Sequence, residues 1–293
     1  MIYVMYGIMI FIFLLFVVHL VLFIKFRKHF VPVFMYHRIT DDKKDDKVRY
    51  QLHKGNQLDL DSMKVSPTQF DKQMNYLFKK KYTVGRLTKD SLIKKSKHAY
   101  ITFDDGYKDN FLFAYPTLKK YNQVGIFYVT ADLIDQDKFM PIDINDKRNE
   151  NKLLSWDEII IMAQDNMQIG SHTMNHPWLT DSNVNQEEEI VLSKKLIEEK
   201  TKIKVDTFAY PGGLYNEESI LLAKSNYETA VITSRGDDFP NSNKNEYLIE
   251  RETISSNDSM FMFKFKLYGF HKFLRKLVWL KKLRGFVRWL LKR

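Results

Sequence analysis

Short apolar runs alternate with helical patterns from residue 99 to residue 252, and no other feature of the chain constrains its fold as much. Strands are expected at 99–104, 124–130, 167–172, 205–210, 229–234 and 247–252. The run Val31 to His37 adds a shorter one. Helices are expected near 110–121, 155–165, 187–200 and 216–226. Strands separated by helices pair in parallel, because each crossover returns the chain to the same edge, so the pattern predicts an α/β open sheet or barrel. Ser66 and Pro67 open a further helix as N-cap and first residue, with Phe70, Met74, Leu77 and Phe78 as its buried stripe. Ser155 and Glu158 have the spacing of a capping box. Polar stretches at 38–65 and 135–152 read as surface loops. Neither a repeat nor a low-complexity linker divides the region, so it is read as one domain, and 293 residues suffice to bury a full core.

Both ends differ from this body. Residues Ile2 to Ile24 contain no Asp, Glu, Lys or Arg, a run long enough to cross a bilayer. It lacks the charged start and small-residue cleavage site of a signal peptide, so residues 2–24 are expected to be a retained transmembrane anchor. Lys25, Arg27 and Lys28 follow it; the positive-inside rule taken alone favours a cytoplasmic domain, but long domains translocate despite flanking charge, so the domain is expected outside the membrane. At the other end, Lys264 to Arg293 holds eleven Lys/Arg and no acid. The net charge of +10, less these eleven and the three after the anchor, leaves −4 for the body. That distribution argues against nucleic acid, which needs basic residues on the domain face. Residues 260–293 instead read as a basic amphipathic helical tail, with Trp279 and Trp289 as interfacial anchors for a membrane of anionic lipids. A terminal helix packed on the domain would give the same pattern. The absence of cysteine excludes disulfides, thiolate nucleophiles and Cys-based zinc sites.

Asp104 and Asp105 stand where the strand Tyr100–Phe103 breaks into a turn at Gly106. Neighbouring strand residues point to opposite faces, so the two acids are expected to differ in role. His172 and His176, four apart at the end of another strand, are placed to share an ion if the chain turns helically there. One aspartate with two histidines leaves coordination positions open for water and substrate, the catalytic type of site. By itself such a pair more often reads as incidental surface histidine, and the Asp-Asp-Gly strand end in the same chain is what turns the reading toward a metal. His37 ends a strand, and Tyr210-Pro211-Gly212-Gly213 ends another. The glycines there permit close backbone approach and an amide donor for an oxyanion, although an ordinary strand-to-helix turn has the same sequence.

Thr102-Phe-Asp-Asp-Gly106, His172-Thr-Met-Asn-His176 and Phe208-Ala-Tyr-Pro-Gly-Gly213 together resemble the polysaccharide deacetylases of carbohydrate esterase family 4, the NodB-homology domain. The resemblance covers about residues 31–255. Met-Tyr-His37 is most similar to the branch acting on poly-β-1,6-N-acetylglucosamine in biofilm synthesis. It implies a distorted (β/α)7 barrel with Asp104 as general base and Asp105, His172 and His176 as ligands of a divalent metal, usually zinc. Two departures stand out. Ala209 replaces the arginine that orients the base in many members, and the late acid histidine is missing, since only His271 follows residue 176. In the biofilm branch that acid comes from the first strand, which His37 matches. Tyr107 and Trp156 are expected to stack on sugar rings, with Tyr210 and Gly212 also at the substrate. The implied activity is N-deacetylation of a membrane-proximal amino-sugar polysaccharide, with a polysaccharide synthase as possible partner. A lipid-linked or wall-polymer linkage sugar, and an inactive glycan-binding scaffold, are the alternatives. His37 lies 13 residues past the anchor, within about 45 Å of it if extended.

Overall fold

The computed structural model describes residues 2–28, 30–41, 49–51, 57–92, 97–135, 138–143, 151–233 and 245–276. Seven parallel strands form its centre. They are β1 (Val33–Tyr36), β2 (His98–Phe103), β3 (Gly125–Val129), β4 (Gln168–Ser171), β5 (Thr207–Ala209), β6 (Thr229–Thr233) and β7 (Ile249–Thr253). Each pairs with the next, and β1 pairs with both β2 and β7, so the sheet closes into the expected seven-stranded barrel. Ladders at Met35↔Thr102 and Thr233↔Arg251 bring the carboxy-terminal strand ends to a common level.

Alternation along the strands divides the apolar residues into two layers. Val33, Tyr100, Ile126, Tyr128, Val231 and Ile249 form the smaller cluster inside the barrel. Phe34, Ile101, Phe103, Phe127, Ile169 and Phe208 face the surrounding helices in the larger cluster. Phe103 and Phe127 stack at 4.7 Å between centroids, a geometry worth about 0.5–1.5 kcal/mol beyond buried area. Gly170 has a packing reason: a Cβ there would lie 2.4 Å from the Tyr128 ring, which fills the barrel interior.

Around the barrel lie α2 (Pro67–Lys79), α3 (Tyr115–Lys120), α4 (Trp156–Gln164), α5 (Ser193–Thr201) and α6 (Glu217–Asn226). Ser66 caps α2, and Ser155 with Glu158 forms the capping box of α4, both as expected. Phe78 departs from its predicted burial; it is 55% exposed, while Phe70, Met74 and Leu77 carry the buried face. The expected helices at 110–121 and 187–200 each begin with a π-helical turn, at Asn110–Ala114 and Glu188–Leu192.

The region assigned to a lipid-associating tail differs from its expectation over 260–276. Two short helices occupy it, α7 (Met260–Leu267) and α8 (Phe270–Lys276), broken at Gly269, whose φ is +68°. Phe263 and Leu267 are buried, and Phe263 packs 5.1 Å from Phe34. Lys272 is buried and pairs with Glu250 at 2.5 Å and Glu252 at 2.8 Å, and His271 meets Glu252 at 2.7 Å. These charges answer buried acids of β7 rather than lipid. Local spacing cannot distinguish a helix that covers a barrel from one that covers a bilayer. Positions 277–293, including Trp279 and Trp289, lie outside the described residues.

Ile2–Arg27 is one helix, the 26-residue α1. Its described end docks on α8: Phe23 lies 5.1 Å from Phe270 and 5.2 Å from Phe273, and Arg27 sits over the Tyr268 ring. Among the described residues no helix is long and apolar enough to cross a membrane, so the anchor expected at 2–24 keeps its basis in the sequence alone. From α1 the chain enters the barrel at the amino-terminal end of β1.

Candidate active site

Asp104 follows the last residue of β2 and points into the barrel mouth. Facing it from β7 is Arg251, which is 1% exposed. Arg251 donates from both terminal nitrogens to the Asp104 carboxylate, at 2.5 and 2.6 Å, and from one of them to Thr102 Oγ1 at 3.0 Å. Such a two-point pair fixes a carboxylate in angle as well as position. Burial alone would raise the pKa of Asp104, but the charge of Arg251, with His172 and His37 behind it, holds the acid below its usual range. The arginine missing at Ala209 is thus supplied from another strand. Its signal lies in Glu250-Arg251-Glu252, where strand alternation sends the arginine to the face opposite both acids.

Asp105 does not diverge from Asp104 by strand alternation. Its φ of +74° and that of Gly106, +83°, form a left-handed turn, and both acids line the same cleft. A strand continuing through 105 would have sent this carboxylate to the helical shell. Instead Asp105 Oδ1 lies 3.5 Å from Nε2 of His172 and 3.5 Å from Nε2 of His176. All three ligand atoms fall within 4.8 Å of one another. Donors about 2.0–2.2 Å from one tetrahedral ion stand roughly 3.4 Å apart, so the two 3.5 Å separations suit a shared divalent ion. His172 Nδ1 is 2.8 Å from the carbonyl of Ala209, an arrangement that leaves Nε2 for a metal. Burial would raise the pKa of Asp105, but the imidazoles of His172, His176 and His37 around it hold the acid below its usual range. Burial and the neighbouring His172 press His176 down to about 4, so its ring is neutral and able to ligate at pH 7. The two histidines do not converge through a helical turn, as their spacing suggested. An irregular loop with positive φ at Thr173 and His176 joins them.

The cleft holds about 410 Å³ and is lined by His37, Asp104, Asp105, His172, His176, Tyr210, Gly212 and Arg251. His37 is half-buried, its Nδ1 has no hydrogen-bond partner, and its carbonyl is held by Asn110 Nδ2 at 3.0 Å. Burial lowers its pKa, opposed by the negative charges of Asp105 and Asp104. Tyr210 and Gly212 line the cleft as expected, but the Tyr210 amide donates to Val231 within the sheet and is not an oxyanion donor. Two expected sugar platforms belong elsewhere. Tyr107 is buried, donates to Asp143 at 2.5 Å and lies beneath Arg38. Trp156 packs against the shell core outside the cleft lining. An aromatic beside a motif, as Tyr107 is beside Gly106, reads the same in a core and on a sugar. Trp178, two residues beyond His176, is the tryptophan that lines the cleft.

A closed parallel barrel with an Asp-His-His triad and an arginine-held carboxylate at its mouth has the parts of a metal-assisted hydrolase. The polysaccharide deacetylase family model matches residues 92–231 of the chain. Over 214 residues the chain is 30% identical to the Bacillus subtilis protein YxkH, named for the same family; the match covers 70% of this chain and 65% of that protein, so the chain spans less than two thirds of this relative. BC0361, a polysaccharide deacetylase from Bacillus cereus, superposes with a TM-score of 0.65 at 26% identity, over 81% of this chain and 69% of that one. The Streptococcus pyogenes deacetylase PplD, in complex with acetate, gives 0.64 at 25% identity, over 81% and 98%.

Proposed function

We propose that the protein is a metal-dependent polysaccharide N-deacetylase acting on N-acetylglucosamine-type sugars. The observation that carries this reading is the convergence of Asp104, the Asp105-His172-His176 triad and His37 on one cleft. A divalent ion, zinc by the family resemblance, would supply polarisation of the acetamide carbonyl and a more acidic water. The chain's own residues do the rest. Asp104, held by Arg251, accepts the proton of the attacking water. The amide of Gly212, next along the turn from Tyr210, is the backbone donor for the oxyanion. His37 delivers a proton to the departing nitrogen as the C–N bond breaks, releasing acetate and a free amine. Trp178 offers an apolar face for a sugar ring.

For the substrate, the notable observation is topological. The chain enters from α1 at one end of β1, and His37 lies at the other, about 17 Å further at 3.3 Å per residue. An enzyme anchored through α1 therefore opens its cleft at the barrel end opposite the entry point. That favours a polymer extending from the membrane, such as a poly-N-acetylglucosamine-like exopolysaccharide leaving a synthase, over a lipid-linked sugar at the headgroups. Acetate release from poly-β-1,6-N-acetylglucosamine oligomers and from a lipid-linked N-acetylhexosamine, assayed side by side, tests this. The polymer is expected to be the better substrate, with activity lost on chelation and restored by zinc. Failure of the zinc-loaded protein to release acetate from either would favour the inactive glycan-binding scaffold.

The membrane placement is proposed from the uncharged run at 2–24, with the domain outside because large domains translocate despite flanking charge. Full-length protein is expected in the membrane fraction, with its domain cleaved by protease added to intact protoplasts. Recovery in the soluble fraction would end the anchor proposal, and protection in intact protoplasts would place the domain inside.

A further inference from the structure

The loop Thr173-Met174-Asn175, which separates the two histidines of the triad, adopts a backbone that L-residues resist. Thr173 has φ +70° and His176 φ +61°. A β-branched residue in the left-handed region is an outlier, and each strained position costs on the order of 1–3 kcal/mol. Such a loop persists only where its surroundings over-determine it. On one side, the carbonyls of Thr173 and Met174 accept from the amides of Ala131 and Asp132, both at 3.0 Å. On the other, the successive amides of Met174 and Asn175 both donate to one oxygen, Glu189 Oε2, at 2.9 Å each. Asn175 Nδ2 reaches the second oxygen of the same carboxylate at 3.2 Å.

Glu189 is 7% exposed, whereas Glu187 and Glu188 beside it face solvent. It sits in the π-helical turn Glu188–Leu192 that leads into α5. Turns of this kind recur at functional sites because the extra residue re-aims the side chains around it. Ser193, immediately after the turn, meets the hydroxyl of Ser171 at 2.8 Å, next to His172. One helical segment therefore grips the chain just before His172 and again between the two histidines.

We propose that Glu189 is a positioning residue of the metal centre: its carboxylate locks the loop between the two histidine ligands and so sets the affinity for the metal. The inference rests on Asp105, His172 and His176 being the ligands. A carboxylate accepts all three N–H groups without conflict. Glutamine of the same size removes the charge that strengthens all three bonds and turns an NH2 group toward the Asn175 amide, which must then turn over to answer it.

Zinc titration of the apoprotein, in competition with a chromophoric chelator, tests this. Glu189→Gln is expected to weaken zinc binding by about 10- to 100-fold, the usual effect of losing an outer partner of a ligand. Glu188→Gln, on the exposed neighbour, is expected to change nothing. The melting temperature of the metal-free Glu189→Gln protein should stay close to that of the metal-free wild type. If Glu189→Gln does not fold, Glu189→Asp, which withdraws the charge by one methylene, takes its place with the same expectation. Affinity within twofold of wild type in the folded variant overturns the proposal. So does intact affinity with a lowered melting temperature of the apoprotein, which would make Glu189 a residue of the fold alone. No zinc binding by the wild type would instead sink the triad as a metal site.

Discussion

Asparagine in place of Asp104 is expected to lower acetate release by about 10²- to 10⁴-fold while the protein keeps its metal, the range for losing a positioned general base. The side chain is isosteric, and Asp104 is outside the ligand triad, so the three donors around Asp105 are untouched. What is lost is the charge that accepts a proton from water. The amide still accepts one N–H from Arg251, but its NH2 group meets the second, where the wild type has an oxygen at 2.6 Å. Some stability is therefore lost as well, and the variant should be assayed well below its melting temperature. Metal content measured beside the rate separates the alternatives. A wild-type rate would show that Asp104 is not the base, and loss of metal would make it a ligand.

Much of this site was legible because its chemistry is written in short motifs at strand ends. A strand breaking at Asp-Asp-Gly and a histidine pair, taken with their resemblance to the polysaccharide deacetylases, placed Asp104, Asp105, His172 and His176 in one cleft, and the resemblance added His37. The barrel was legible for a similar reason, since alternating strands and helices leave few parallel arrangements. What escaped depends on partners distant in sequence. Arg251 meets Asp104 across 147 residues; the alternation Glu250-Arg251-Glu252 turns the arginine away from both acids but does not say which carboxylate it will meet. Lys272 looked lipid-directed until its acids, Glu250 and Glu252, came within reach through the fold. Tyr107 failed in the opposite direction: it neighbours the Asp-Asp-Gly turn in sequence but is buried, while Trp156 is half-buried against the shell core. Glu189 lies in a run of three consecutive glutamates, and which of them is buried is decided by the fold rather than by the local sequence.

The strand that carries Arg251 is charged on both faces. Glu250 and Glu252 point outward to Lys272 and His271 on α8, and Arg251 points inward to Asp104. Docking of α8, which also receives α1, therefore braces the strand that orients the base. Removal of α8 would expose two buried carboxylates beside Arg251, so the body of the enzyme extends past residue 255 to at least Phe273, which is 6% exposed.

Arg251→Met is expected to cost about 3–5 kcal/mol at neutral pH, the penalty for leaving one member of a buried pair uncompensated. It should also reduce acetate release, because the base loses its two-point hold. The pH dependence distinguishes this cause from simple misfit of the new side chain. In the wild type the folded pKa of Asp104 lies below its unfolded value, which is near 3.9. Its pairing thus contributes stability that is complete above the unfolded pKa and lost as pH falls through the folded one. In the variant the strongest opposing charge is gone and burial dominates, so the folded pKa rises above the unfolded value. Asp104 then costs most at neutral pH, where folding must bury its charge or bind a proton, and the cost fades as acid protonates the unfolded chain too. The gap in stability between the two proteins is therefore expected to be widest near pH 7 and to narrow below pH 4. Thermal melts of both proteins across this range measure it directly. A gap that stays constant with pH would mean that Arg251 contributes packing to the barrel interior rather than charge to Asp104.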